Sequence, residues 1–152
     1  MNGEKNGKGK EYYTNNKLKF EGEYLNGERN GKGKEYYFNG ELEFEGEYLN
    51  GKRWNGKGYN KGGRIDFEIK EGNGKGKEYF SNGKLKFEGE YIKGERNGKG
   101  KEYDDYDDSL IFDGEYLNGL RNGKGKEYYK DKLIFEGEYL NGERYGKGKN
   151  MM

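Results

Sequence analysis

The chain has 152 residues and a formal net charge of +1, with 39% charged and 28% hydrophobic residues, 30 glycines, and no Pro, Cys or His. With Val and Ala also absent, an ordinary aliphatic core is excluded, and the missing His and Cys remove the usual catalytic bases and thiol nucleophiles. So low a hydrophobicity reads as disorder, but 16 Tyr and 8 Phe recur at fixed positions, so periodicity outranks composition.

Met1 to Tyr13 supplies only the second half of a repeating unit, and the pair ends at Asn15-Asn16. The complete unit is Phe20 to Tyr37, FEGEYLNGERNGKGKEYY; its first half returns at Phe44, Phe87, Phe112 and Phe135, and NGKGKEY stands at Asn6, Asn30, Asn73, Asn97 and Asn122. Such self-similarity marks an array in which each unit packs on its neighbours. Phe20, Gly22 and Tyr24 alternate with Glu21, Glu23 and Leu25, the period-two pattern of a half-buried strand. Asn26 to Gly31 reads as a reversal, and a second strand runs through Gly33 to Tyr37, with a bulge near Glu35 to reconcile its alternation. Asn39-Gly40 predicts a type I′ hairpin. The expected fold is all-β: an elongated, single-layer, twisted antiparallel sheet of tandem β-hairpins, an open meander running through residues 1–152 as one array.

Regularity fails around 54–72, where Trp54, the one tryptophan, stands beside an altered NGKGYNKGGRID, and FEIKEGNGKG is shorter than its counterparts by about four residues. Trp54 reads equally as a binding anchor and as filler of the irregular junction. After Tyr103 the turn carries Asp104, Asp105, Tyr106, Asp107, Asp108 and Ser109. Its oxygens suit calcium, but the spacing lacks the glycine and terminal glutamate of an EF-hand loop, so a solvated loop is expected and no metal or other cofactor is assigned. The chain closes on another half unit, from Tyr145. Bare strands at both ends allow edge-strand self-association, with Lys8, Lys10, Lys147 and Lys149 as charges that blunt an edge.

On one face Glu21, Glu23, Glu45, Glu47, Lys32 and Lys34 make a solvated lattice of weak cross-strand pairs. The other face stacks rings over glycines of adjacent strands. With no second layer to cover it, that face is expected to stay partly exposed as the concave side of a trough. The candidate binding residues are therefore Phe20, Tyr24, Phe44, Tyr48, Phe87, Tyr91, Phe112, Tyr116, Phe135 and Tyr139, with Trp54. A protein partner contributing a helix or extended peptide fits such a trough, because rigid rings give large contact area at low entropic cost. Anionic lipid reached through the NGKGK lysines, and carbohydrate or choline held in aromatic cages, are the other readings. Interleaved Lys and Glu disfavour nucleic acid.

Catalysis is not expected. Thr14, Ser81 and Ser109 have no histidine base, no phosphate-cradling GxxxxGK[ST] occurs, and paired glutamates repeated in every unit describe a lattice rather than a unique site. Absence of cysteine and of any long apolar run points to a cytoplasmic protein.

The unit resembles the MORN repeat (membrane occupation and recognition nexus), whose Y-x-G-x-W/Y, N-G and G-x-G spacing matches Phe20, Gly22, Tyr24, Asn26, Gly27, Gly31 and Gly33. EYYFNGELEFEGEY, from Glu35, is similar to the variant form of that repeat common in bacterial proteins. The resemblance implies a single-layered, twisted array of hairpins acting as a protein-binding or membrane-associated scaffold. Because bacterial variants occur beside toxins, it also implies an immunity role.

Overall fold

The structure is a computed structural model describing residues 5–150, except for the side chains of Lys147, Lys149 and Asn150. Among the described residues every regular element is a strand. In chain order these are β1 (Gly7–Tyr12), β2 (Leu18–Leu25), β3 (Glu28–Tyr36), β4 (Leu42–Leu49), β5 (Lys52–Tyr59) and β6 (Ile65–Ile69). They continue as β7 (Gly74–Tyr79), β8 (Leu85–Ile92), β9 (Glu95–Tyr103), β10 (Leu110–Leu117), β11 (Leu120–Tyr129), β12 (Lys132–Leu140) and β13 (Glu143–Asn150). No helix is long and apolar enough to cross a membrane.

The all-β hairpin architecture expected from the repeats is present, with one correction: there are two sheets rather than one. Strands β1 to β6 form the first and β7 to β13 the second, each in sequential order and neither closed on itself. The break falls where the repeat is short. Strand β6 stops at Ile69, and beyond it a single bridge, Lys70 to Asn73, spans the tight Glu71-Gly72 turn. Two units result, one running to Gly74 and including Ser81–Gly83, the other comprising Lys75–Phe80 and the chain from Lys84. Strand β1 ends the order of its sheet and carries Lys8 and Lys10, both exposed. The proposed edge charges Lys147 and Lys149 lie outside the described side chains.

Turn chemistry sets the register. In the Leu25-to-Glu28 hairpin Asn26 and Gly27 have φ of 51° and 82°, the paired positive values that a type I′ turn requires. The Asn39-Gly40 hairpin is corrected: only Gly40 has positive φ, at 93°, and its N–H donates to Tyr37 O at 2.9 Å. That is a longer loop built on a type I turn, in which Asn39 Oδ1 accepts from the N–H of Glu41. The bulge anticipated near Glu35 exists: Glu35 pairs with Phe44 and Tyr36 with Leu42, leaving Glu43 as the extra residue.

Within the first sheet Gly9, Gly22, Gly33, Gly46 and Gly56 stand opposite one another as an unbroken row across five strands. In the second, Gly89, Gly100, Gly114, Gly125 and Gly137 do the same. The Phe rings lie on these rows. A Cβ at Gly33 would come within 2.6 Å of the Phe20 ring and 3.0 Å of Tyr48, so glycine is what lets the rings reach the backbone.

Candidate functional site

The sequence-predicted rings come together, but as a core. Phe20, Phe44, Phe87 and Phe112 are fully buried, and Tyr24, Tyr48, Tyr116, Phe135 and Tyr139 are at most 6% exposed. Tyr91 and Trp54 are half-buried. Edge-to-face contacts link successive repeats: Phe20 meets Tyr24 and Tyr48 at 5.6 and 5.1 Å, and Phe112 meets Tyr116 and Tyr139 at 5.6 and 5.1 Å. Trp54 stands in β5, where its carbonyl accepts from the N–H of Gly72 at 2.7 Å. The expectation of an exposed aromatic trough is thus corrected.

What covers the rings is a set of side chains that the sequence reading passed over. Arg29 lies over Phe20 with its guanidinium carbon 4.0 Å from the ring centre, while its Nε donates to Glu11 Oε2 at 2.9 Å. Tyr24 Oη donates to the same oxygen at 2.6 Å. The arrangement recurs as Arg53 with Glu35 and Tyr48, Arg96 with Glu78 and Tyr91, Arg121 with Glu102 and Tyr116, and Arg144 with Glu127 and Tyr139. The guanidinium of each stands 4.0 to 4.7 Å from Phe44, Phe87, Phe112 or Phe135. A guanidinium does what an ammonium cannot: it stacks flat on the ring and grips the carboxylate with a fork. The signal was in the sequence, because five of the six arginines occupy this one repeat position and nearly every other cation is Lys.

Burial acts to raise the Glu35 pKa, but the charge and hydrogen bonds of Arg53, with Arg29 behind, prevail and hold it well below the ordinary range. Its neighbour goes the other way. Glu43, the bulged residue, is 7% exposed and bonded to Arg53 at 2.8 Å. Burial, reinforced by the adjacent Glu35 charge against the pull of Arg53, raises its pKa.

The opposite face of each unit is recessed. In the first unit a groove of about 990 Å³ is floored by Gly9, Gly22, Gly33 and Gly46 and walled by Lys8, Lys10, Glu21, Glu23, Lys32, Lys34, Glu45 and Glu47. A groove of about 560 Å³ in the second unit has the same make-up, with Gly114, Gly125 and Gly137 between lysines and acidic residues. Its carboxylates are tied down by near neighbours. In the first unit Glu21 accepts from Tyr36 Oη at 2.8 Å, Glu23 from the N–H of Lys32 at 2.5 Å, and Glu47 from Asn55 at 3.3 Å. Glu23 lies over Gly31, whose φ of 98° and want of a Cβ make room for it. Glu45 has Lys34 at 3.6 Å. Among the described residues Lys8, Lys10, Lys32 and Lys57 have no carboxylate within 4.0 Å, and all are exposed. Leu25 and Leu49, 51% and 38% exposed, close one end of the acidic columns.

The acidic loop satisfies itself. Asp104 Oδ1 accepts from the N–H groups of Tyr106 and Asp107 at 2.7 and 3.4 Å, and Asp107 Oδ1 from the Ser109 hydroxyl at 2.6 Å. Among the described residues no group of three or more acidic side chains is placed to hold a metal ion.

No curated protein matches the sequence at a significant level. The family model described as the MORN repeat matches residues 20–41, 87–107, 112–133 and 135–149, and that of the MORN repeat variant matches 5–26 and 73–93. These matches begin at, or end beyond, the same Phe and Gly positions that stack in the two sheets, and together they take in more than half of the chain, which belongs to the MORN repeat family.

Proposed function

We propose that the chain is a non-catalytic scaffold that holds a polypeptide segment of a partner protein in the glycine-floored, charged groove. MORN repeats commonly serve as scaffolds in protein and membrane interactions and are generally non-catalytic. The observation that carries the reading is the division of labour between the two faces. The rings Phe20, Tyr24, Phe44 and Tyr48 are spent on the core, whereas the opposite face is a recess with exposed lysines. The rings serve recognition from behind, by holding the floor flat and rigid. A recess also favours a protruding polypeptide over a lipid surface, because a bilayer is broader than the groove and its headgroups meet only the rim.

The test exchanges one cross-strand pair. Lys34→Glu combined with Glu45→Lys keeps the ion pair and the net charge while reversing the local pattern. Wild type and exchanged protein are used as bait in the native extract and the captured proteins compared by mass spectrometry. The reading expects a captured protein to be lost at unchanged melting temperature; an unchanged set places the partner elsewhere on the molecule.

A further inference from the structure

Resting on the groove as the partner site, we propose that its occupant is an acidic α-helix of the partner, crossing the strands, with carboxylates recurring about every seventh residue. Two observations lead there. The first is height. The groove carboxylates are held low by Tyr36 Oη, the Lys32 N–H and Asn55, whereas the exposed ammonium groups of Lys8, Lys10, Lys32 and Lys57 have no such tether. A ligand entering from solvent therefore meets ammonium groups first, although the wall as a whole is nearly neutral.

The second is spacing. The cross-strand pairs Lys10 with Glu21, Glu21 with Lys34, Lys34 with Glu45 and Glu45 with Lys57 make one row in which cations fall on every second strand. Neighbouring strands lie about 4.8 Å apart, so successive lysines of the row are separated by about 9.6 Å. Seven residues of α-helix rise about 10.5 Å and return to the same face, a close match. An extended chain advances about 3.3 Å per residue and returns to the same face every second one, so its same-side positions fall at about 6.6 and 13.2 Å and miss the cations. Across the groove, Leu25 to Glu21 spans about 13 Å of strand, enough for one helix of about 10 to 12 Å diameter.

The experiment uses the full chain and two synthetic, fluorescently labelled, 21-residue helical peptides of identical composition, one with Glu at every seventh position and one with the same Glu residues at every fifth. Binding is read by anisotropy at low and moderate salt, for wild type and for Lys10→Gln with Lys32→Gln. The proposal expects the seven-spaced peptide to bind at least about tenfold tighter than its isomer, an advantage that shrinks with salt and in the double variant. Equal binding of the two peptides that still falls in the double variant overturns the helical spacing while leaving the groove as the site. Binding untouched by the double variant overturns the groove reading itself. Anionic vesicles or a phosphate polymer bound as tightly as the seven-spaced peptide overturn the assignment of a polypeptide occupant.

Discussion

Glu35 and Glu43 share one guanidinium: Arg53 donates to Glu35 Oε2 at 2.7 Å through Nε and to Glu43 Oε2 at 2.8 Å through Nη2. One cation cannot neutralise two carboxylates, so the pair settles into one strongly ionised and one reluctant member. The other bulge positions, Lys19, Ile111 and Ile134, carry no acid. The doubled acid is particular to this repeat.

The sign of its pH dependence follows from that asymmetry. A carboxyl whose folded pKa is raised contributes stability below its unfolded value of 4.5, and loses it as pH rises through the folded value. Glu43 should therefore make the protein less stable at about pH 8 than at about pH 5, and Glu43→Gln should remove most of that difference and raise the melting temperature at the higher pH. Glu35, Glu102 and Glu127 are shifted downward, so their contribution is full above the ordinary carboxylate value and lost only as pH falls below it. Melting curves of wild type and Glu43→Gln at the two pH values decide the matter; a parallel pH response in both proteins excludes Glu43 as its source.

Arginine should not be replaceable by lysine on the rings. Arg121 stands 4.1 Å from Phe112 and donates to both oxygens of Glu102, at 2.9 and 3.2 Å. Arg121→Lys keeps the charge but loses the fork and the flat contact, for an expected cost of about 1 to 3 kcal/mol. Arg64, exposed and outside the repeat position, provides the control, and Arg64→Lys should change stability by less than about 0.5 kcal/mol. Denaturant titration of the two variants measures both, and equal losses would show that stacking contributes nothing.

Gly33 tests the contact between ring and backbone. Gly33→Ala places a methyl within 2.7 Å of two Phe20 ring atoms, and both partners are buried, so neither can swing away. A loss of about 1 to 3 kcal/mol is expected, or about 3 to 10 °C in melting temperature. Gly62→Ala, where the nearest atom is Asn60 Oδ1 at 3.3 Å on the surface, should be close to neutral. If the two alanines behave alike, the glycine row is not what seats the rings.

These contrasts explain how far the sequence could be read. The alternation of Phe20, Gly22 and Tyr24 defined strands, and the Asn-Gly pairs defined reversals, because φ/ψ preference and side-chain parity are local. Burial of the rings is not local. It depends on Arg29, which follows Phe20 by nine residues, and on Glu11, which precedes it by nine, meeting over the ring only after three strands have paired. A parity argument assigns Phe20 to a face but does not tell whether that face is then capped. The same gap put the concave side on the ring face, when the recess lies over the opposite surface of the glycine row. The break after β6 was visible as a shortened repeat around Trp54, but not as the end of a sheet.

The acidic turn after Tyr103 offers the last discriminating measurement. Asp104 Oδ1 already accepts two backbone N–H groups of its own loop, and Asp107 accepts the N–H and hydroxyl of Ser109, so their oxygens act as caps. Calcium would have to draw 6 to 8 oxygens around itself and break those caps. Asp104→Asn retains an accepting oxygen and should match wild type in stability, whereas Asp104→Ala should lose about 1 kcal/mol by leaving both N–H groups to water. Calorimetric scans of the three proteins with millimolar calcium and with chelator should superimpose for each protein. A calcium-dependent rise in wild type that vanishes in Asp104→Asn would mean that the carboxylates bind a cation and that the capping seen here is their resting state.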